Sequence, residues 1–204
     1  MNVSVVTHKP VTIIIHKLDF YKKIVKRYLM TVKNGTYTKV LNDLNKAGIS
    51  TTPFVWTSLM IGMMSKGVEA GSRVFINSFS SLLNDNQPLP GEIIAVLTNL
   101  GMDLKDKIEK GDEDLFSMPD SSFDKKLRLQ TLADLSYGFA LGLTVNSEDG
   151  SLEKITDKEM LADLATISEV AKVDIEAELD EDDLDNVLGF MIEVAQKNFA
   201  LNQN

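Results

Sequence analysis

Apolar residues recur along most of the chain three and four positions apart, which is the spacing of one face of an α-helix. No segment alternates convincingly between apolar and polar residues with the period of two that is typical of a half-buried strand. The predicted helices cover approximately residues 36–47, 52–66, 69–83, 91–110, 123–143, 156–171 and 180–199. We therefore predict an all-α fold, a single-domain bundle of about six or seven helices over residues 31–204.

The second of these helices is apolar on nearly every side, which is typical of a helix in the middle of a bundle. Thr52 is its predicted N-cap and Pro53 its first residue, where a missing N–H costs nothing. Its apolar residues include Trp56 and a run of methionines at 60, 63 and 64. Methionines can line an adaptable binding groove, but on a helix without a polar face we expect them in the core.

The connections between helices contain turn residues. Residues 84–90 and 146–150 are predicted loops. The aperiodic segment 112–122 is predicted to be a surface connection, and Glu109–Asp114 a solvated turn. Thr156-Asp157-Lys158-Glu159 matches a capping box that would begin the next helix at Thr156.

Two helices each carry a pair of small residues four positions apart. They are Ser58 and Gly62 in the central helix, and Gly138 and Gly142 in the long helix. Glycine inside a helix costs about 1 kcal/mol relative to alanine, and small residues allow two helix backbones to approach closely. We therefore predict that these two helices cross near Gly62 and Gly142.

The sequence resembles the YecA/YgfB-like proteins, small bacterial all-α proteins of largely uncharacterised function. Residues 59–67 are similar to the opening signature of that family, and the resemblance continues in residues 132–143 and in the acidic stretch 179–194. It extends over roughly residues 36–200 and begins after Met30. Members often carry His-Gly at the positions of Thr57-Ser58 and Cys-Gly-Gly at those of residues 65–67, and longer members add a cysteine-rich zinc tail that this chain lacks.

The net charge of −9 is unevenly distributed. Residues 1–40 contain eight Lys and Arg against one acid, whereas residues 41–204 contain 13 basic and 29 acidic residues. A body this acidic repels phosphate backbones, so we expect no nucleic-acid binding by the folded part. The basic residues 1–30 are either a leader that the mature protein lacks, which we favour, or an arm that binds membranes or nucleic acid through Lys22–Arg27.

The types of side chain present restrict the chemistry. The chain has no cysteine, and both histidines, His8 and His16, lie in the leader. Residues 30–204 thus lack the groups that usually build zinc sites and nucleophile–base pairs. There is also no glycine-rich phosphate loop. We predict no catalytic residue, no cofactor and no enzyme activity.

Residues 174–185 hold eight carboxylates, some at the spacing of a calcium-binding loop. The candidate metal ligands are Asp174, Glu176, Glu178, Asp180, Asp182 and Asp185. Leu179 stands where that loop needs glycine, and Asp185 replaces the bidentate glutamate. We therefore favour a solvated linker whose acids lie at a helix N-terminus, and predict no metal there.

These observations predict a cytoplasmic, non-enzymatic protein without a membrane span, acting by protein–protein interaction or as a regulatory adaptor. The acidic surface suits an unidentified basic protein partner or simply keeps the protein soluble, and the sequence does not separate these two interpretations; a homodimer is left open. The alternative is a divalent-metal-binding protein or enzyme that uses the acidic residues 174–185.

Overall fold

A computed structural model describes residues 52–178 and 180–202 of the chain. These residues form six α-helices: α1 Pro53–Ser65, α2 Arg73–Leu83, α3 Gly91–Lys110, α4 Lys125–Leu143, α5 Lys158–Val170 and α6 Glu181–Leu201. No β-strand occurs among the described residues, where Val145 and Leu152 form one isolated bridge. The prediction of a single-domain all-α bundle is confirmed. The predicted basic leader, both histidines and the helix predicted at 36–47 lie outside the described residues.

Helix α1 lies in the middle of the bundle and contacts α3, α4 and α6. Its N-terminus forms as predicted, because the Thr52 hydroxyl accepts a hydrogen bond of 3.3 Å from the Val55 N–H and Pro53 follows it. Every residue of the helix except Thr57 is buried. Trp56 and the methionines at 60, 63 and 64 are among the buried residues, in agreement with the core interpretation.

Three helices begin later than the apolar pattern predicts. Helix α2 begins at Arg73 because the Ser72 hydroxyl accepts from the Phe75 N–H at 3.1 Å. Helix α4 begins after Asp124, whose carboxylate accepts from two backbone N–H groups. At α5 the prediction of Thr156 as the N-cap was wrong. The N-cap is Asp157, whose carboxylate accepts from the Met160 N–H at 2.8 Å. In each case a hydrogen-bond acceptor, rather than the apolar period, fixes the first turn.

The segment between α3 and α4 was predicted to lie on the surface, which is wrong for Leu115 and Phe116. Helix α3 ends at Gly111, which adopts a left-handed φ of 64°. Leu115 is fully buried and Phe116 is 2% exposed. The ring of Phe116 meets that of Phe139 edge to face, with 5.0 Å between the centroids. An irregular segment thus contributes two side chains to the core without any periodicity that would reveal them.

Candidate functional site

The four small residues singled out in the sequence meet where α1 packs on α4. A Cβ atom placed on Gly62 would lie 2.6 Å from the carbonyl oxygen of Phe139 and 2.8 Å from the Cα of Gly142. A Cβ on Gly142 would in turn lie 2.9 Å from the backbone nitrogen of Met63. Real Cβ atoms do not approach backbone this closely, so glycine is required at both positions.

One turn earlier, Gly138 faces Ser58 in the same way. A Cβ on Gly138 would meet the hydroxyl of Ser58 and lie 3.0 Å from the carbonyl carbon of Val55. The buried Ser58 hydroxyl donates to the Phe54 carbonyl at 2.7 Å, so its polarity is satisfied within α1. Still earlier, the Thr52 hydroxyl donates to Asp134 at 2.8 Å. The two helices therefore run side by side in the same direction over three turns, which makes this contact the structural centre of the protein.

The acidic residues between α5 and α6 lie against the first turn of α4. Lys126 Nζ is 2.6 Å from a carboxylate oxygen of Glu176, and Lys125 Nζ is 2.9 Å from Glu178. The hydrogen bond from Lys125 lowers the pKa of Glu178, and the one to Glu176 raises the pKa of Lys126. All four side chains are at least one third exposed. These pairs hold the acidic segment near α4 but are open to screening by salt.

The six candidate metal ligands do not converge. Glu176 and Glu178 face lysines, and Asp180 caps α6 by accepting from the Asp182 N–H at 2.9 Å. The carboxylate of Asp174 accepts from the Glu176 N–H at 2.9 Å, while Asp182 and Asp185 are exposed on α6. Within the described residues, no group of three or more His, Asp or Glu side chains is placed to hold a metal ion.

Sequence reasoning missed the ion pair between the buried Arg128 and the exposed Glu181, which ties α4 to α6. Arg128 is buried, and its guanidinium donates two hydrogen bonds to the carboxylate of Glu181, one of them 2.7 Å long. Its Nε donates to the Pro119 carbonyl at 3.0 Å. The hydrogen bonds with Arg128 lower the pKa of Glu181 and raise that of Arg128. The only signal in the sequence is that Arg128 lies between the apolar residues Leu127 and Leu129 near the start of the predicted long helix.

A second unpredicted cluster joins α5 to α6. Lys197 donates to Asp163, whose side chain is only 14% exposed, and to Glu159 at 3.1 Å. The hydrogen bond with Asp163 is the main reason that the pKa of Lys197 is raised. Only Met160 and Ile167 of α5 are buried. The ion cluster therefore supplements a small apolar contact between this helix and the bundle.

The acidic character predicted from the sequence lies on the described surface. Residues 52–202 contain 28 Asp and Glu against 12 Lys and Arg. At least seven of these basic residues form ion pairs within the described part of the chain: Lys66, Lys110, Lys125, Lys126, Arg128, Lys172 and Lys197. Most positive charge is therefore already compensated, whereas carboxylates are in large excess.

None of the helices in the described part is both long enough and apolar enough to cross a bilayer. The longest, α6, has 21 residues but begins with three acids. The structure thus agrees with the prediction that the chain has no membrane-spanning helix over these residues.

Comparison with known proteins identifies the fold only. No protein-family profile matches this sequence, and no curated protein matches it. Among solved structures, the chain is similar to the crystal structure of the lpg0076 protein from Legionella pneumophila, with a TM-score of 0.55 and 16% sequence identity. The similarity covers 81% of this chain and 96% of that chain. At this identity the likeness supports the all-α architecture and carries no functional information.

Proposed function

We propose that this protein acts without catalysis, by binding another protein that presents a basic surface. The observation that carries the proposal is the excess of carboxylates over basic residues on the described surface, 28 against 12. A field of one sign attracts partners of opposite charge and accelerates their association.

Two exposed surfaces each carry several acids that form no ion pair within the described residues. One is the N-terminal end of α6, where Asp182, Asp183 and Asp185 are exposed. The other is the C-terminal half of α3 and the turn after it, where the exposed acids include Asp103, Glu109 and Glu113. The α6 surface is favoured as the contact, because its carboxylates follow the acidic segment at 174–178 and so extend the negative surface along the chain.

The resemblance to YecA/YgfB-like proteins supports the same proposal, since it points to a helical protein with no assigned chemistry. We include cytoplasmic location and an adaptor or regulatory role in this proposal. Both suit a chain whose sequence contains no cysteine and whose surface charge favours transient contacts.

The experiment compares two variants of equal charge change. In the first, Asp182, Asp183 and Asp185 are each replaced by Asn, which leaves the Asp180 cap of α6 intact. In the matched control, Asp103 is replaced by Asn, and Glu109 and Glu113 are replaced by Gln. Each tagged full-length protein is incubated with native lysate, and captured proteins are quantified by mass spectrometry and then purified for titration at several salt concentrations.

We expect a basic partner that is lost with the α6 variant, retained by the α3 control, and bound more weakly as salt rises. A partner retained equally by both variants, or one whose affinity does not depend on salt, would contradict the proposed role of the α6 surface. Turnover of any substrate by the purified protein would contradict the non-catalytic role.

A further inference from the structure

The segment that follows α5 contributes no fully buried side chain to the bundle, and its apolar residues Val173, Ile175 and Ala177 are half-buried. No side chain of residues 168–178 or 180–183 is buried, although Ile167 before them and Leu184 after them are. Backbone hydrogen bonds of residues 171–178 are local, as in the bonds from the Ala171 N–H to the Ile167 carbonyl and from the Ala177 N–H to the Asp174 carbonyl. Local hydrogen bonds shape this segment but do not attach it to another helix.

The ion pairs that attach it to α4 are the two lysine pairs described above. Glu178 is fully exposed and Glu176 is 61% exposed, so both pairs are in contact with water. Exposed pairs of this kind contribute little individually and weaken as the ionic strength rises. Two such contacts make the closure of the segment sensitive to the salt concentration.

The points where the segment joins the helices are much firmer. On one side Ile167 is 1% exposed in the core. On the other, Glu181 forms its two hydrogen bonds with the buried Arg128 guanidinium. A bidentate pair with a buried arginine is stronger and less easily screened than an exposed lysine pair. Loss of the lysine pairs would therefore free the segment without undocking α5 or α6.

The position of the two lysines in the first turn of α4 also favours the closed state. Lys125 and Lys126 lie at the N-terminal end of α4, where the helix dipole disfavours positive charge. The carboxylates of Glu176 and Glu178 compensate this unfavourable placement. Lys125-Lys126 is also the only adjacent pair of basic residues in the described part of the chain. Closure of the segment pairs both lysines with carboxylates, and opening leaves their charges uncompensated.

We propose that residues 171–178 form an electrostatic strap that closes over Lys125 and Lys126 at low ionic strength and detaches when these pairs are screened or replaced. The strap moves between two anchors, Ile167 and Glu181, while the bundle stays folded. Its closed state compensates the charge of Lys125 and Lys126, the one adjacent basic pair in the described part of the chain. This device goes beyond the proposed partner binding and does not depend on it, because the strap opens or closes in the isolated protein.

The absence of cysteine from the chain allows a direct test with a single label. Ala177, which is half-buried in the strap, is replaced by Cys in the full-length protein and labelled with a nitroxide. Electron paramagnetic resonance then measures the mobile fraction of the label at 20 and 500 mM NaCl. We expect this fraction to rise about twofold or more, as screening removes the exposed pairs. A second protein, labelled through Ala162→Cys on the exposed face of α5, should show no change.

Two pairs of substitutions separate the lysine contacts from a general charge effect. Lys125→Gln with Lys126→Gln should give a large mobile fraction at 20 mM NaCl and remove its salt dependence. Lys154→Gln with Lys158→Gln makes the same charge change at two exposed positions and should leave the strap closed. Circular dichroism should show unchanged helix content in both. Any of three results would overturn the strap. These are a mobile fraction at residue 177 that does not change with salt, control substitutions that raise it as much as the lysine substitutions do, and a parallel change of the label at residue 162.

Discussion

Gly62 and Gly142 face each other across the contact of α1 with α4, so closely that a Cβ on either would lie 2.8 Å from the Cα of the other. This reciprocity means that the two backbones, rather than their side chains, set the distance between the helices. A contact of this kind tolerates no additional atom on either side, because neither backbone can move without displacing a buried helix.

Alanine at position 62 should therefore destabilise the protein, although alanine is the better helix former. The added methyl group would overlap the Phe139 carbonyl and the Gly142 Cα, and overpacking of this kind costs about 1–3 kcal/mol. Leucine at position 62 should prevent the native contact altogether. Urea unfolding followed by circular dichroism measures the loss.

Gly189 in α6 provides a matched control, at which alanine is expected to raise rather than lower the free energy of unfolding. It also lies inside a helix, but a Cβ placed there meets nothing within 4 Å. Gly189→Ala should stabilise the protein by about 1 kcal/mol, through helix propensity alone. If both alanine variants changed the free energy of unfolding in the same direction, the steric role of Gly62 would be refuted.

Thr131 in α4 is buried, and its hydroxyl has no hydrogen-bond partner within the described residues. Thr131→Val replaces the hydroxyl with a methyl group of similar size and removes the cost of burying an unpaired polar atom. We expect the free energy of unfolding to rise by about 1 kcal/mol.

The control for this substitution is Thr57→Val in α1. The Thr57 hydroxyl donates to the Pro53 carbonyl at 2.8 Å, so its loss should be neutral or destabilising. Chemical denaturation of both variants at the same protein concentration compares them directly. A Thr131→Val protein that is less stable than the wild type would mean that the hydroxyl is satisfied in solution.

The parts of the fold that follow from local sequence were predictable. Thr52-Pro53 determined the start of α1. Gly111, with its left-handed φ, determined the end of α3. The small residues at 58, 62, 138 and 142 indicated which two helices approach closely. These features depend on a few neighbouring residues or on one strong steric requirement.

What the sequence could not reveal depends on contacts between distant residues. Arg128 and Glu181 are 53 positions apart, and nothing in the sequence indicates that these two residues meet. Leu115 and Phe116 are buried by the path of an irregular segment, which has no period. The acids at 176 and 178 resembled metal ligands because the sequence does not show that lysines of α4 face them.

The pair of Arg128 with Glu181 should make stability depend on pH in the acidic range. The hydrogen bonds from Arg128 lower the pKa of Glu181 below its usual 4.5. A lowered carboxylate pKa contributes stability above the unfolded-state value, and this contribution is lost as the pH falls through the folded-state value. We therefore expect Glu181→Gln to lower the melting temperature at pH 7, and the difference from wild type to shrink below pH 4.5.

Glu193→Gln, an exposed change on the same helix, serves as the control. Its melting temperature should follow that of the wild type at every pH. A difference between Glu181→Gln and wild type that stayed constant from pH 7 down to pH 3 would show that the loss is due to packing rather than to charge.

Lys197 should produce the opposite dependence, at alkaline pH. The hydrogen bonds to Asp163 and Glu159 raise its pKa above the usual 10.5. A raised lysine pKa contributes stability below the unfolded-state value, and this is lost as the pH rises through the folded-state value. Lys197→Gln should thus be less stable than wild type at pH 7, with the two proteins converging in strong alkali. Thermal melts of both proteins, with Lys154→Gln as the control, measure this difference in stability. A difference from wild type that persisted in strong alkali would contradict the assignment.

Calcium should not stabilise this protein, although residues 174–185 have part of a calcium-loop pattern. A calcium site needs six or more oxygen ligands around one point. Here Glu176 and Glu178 face Lys126 and Lys125, and Asp180 is used as the cap of α6. Binding would have to break both lysine pairs and unwind the start of a helix. Calorimetric titration to millimolar calcium should therefore give only heats of dilution, and the melting temperature should be the same with calcium and with a chelator.

Substitution of Lys125 and Lys126, the lysines of α4 that face the strap, makes the calcium titration more informative. In the Lys125→Gln, Lys126→Gln protein the two glutamates lose their cationic neighbours, while the Asp180 cap stays. If that variant bound calcium and the wild type did not, the lysine pairs would be what prevents the carboxylates from converging. If the wild type itself bound calcium and became more stable, the divalent-metal alternative would replace the interpretation of these residues as a charge-held strap.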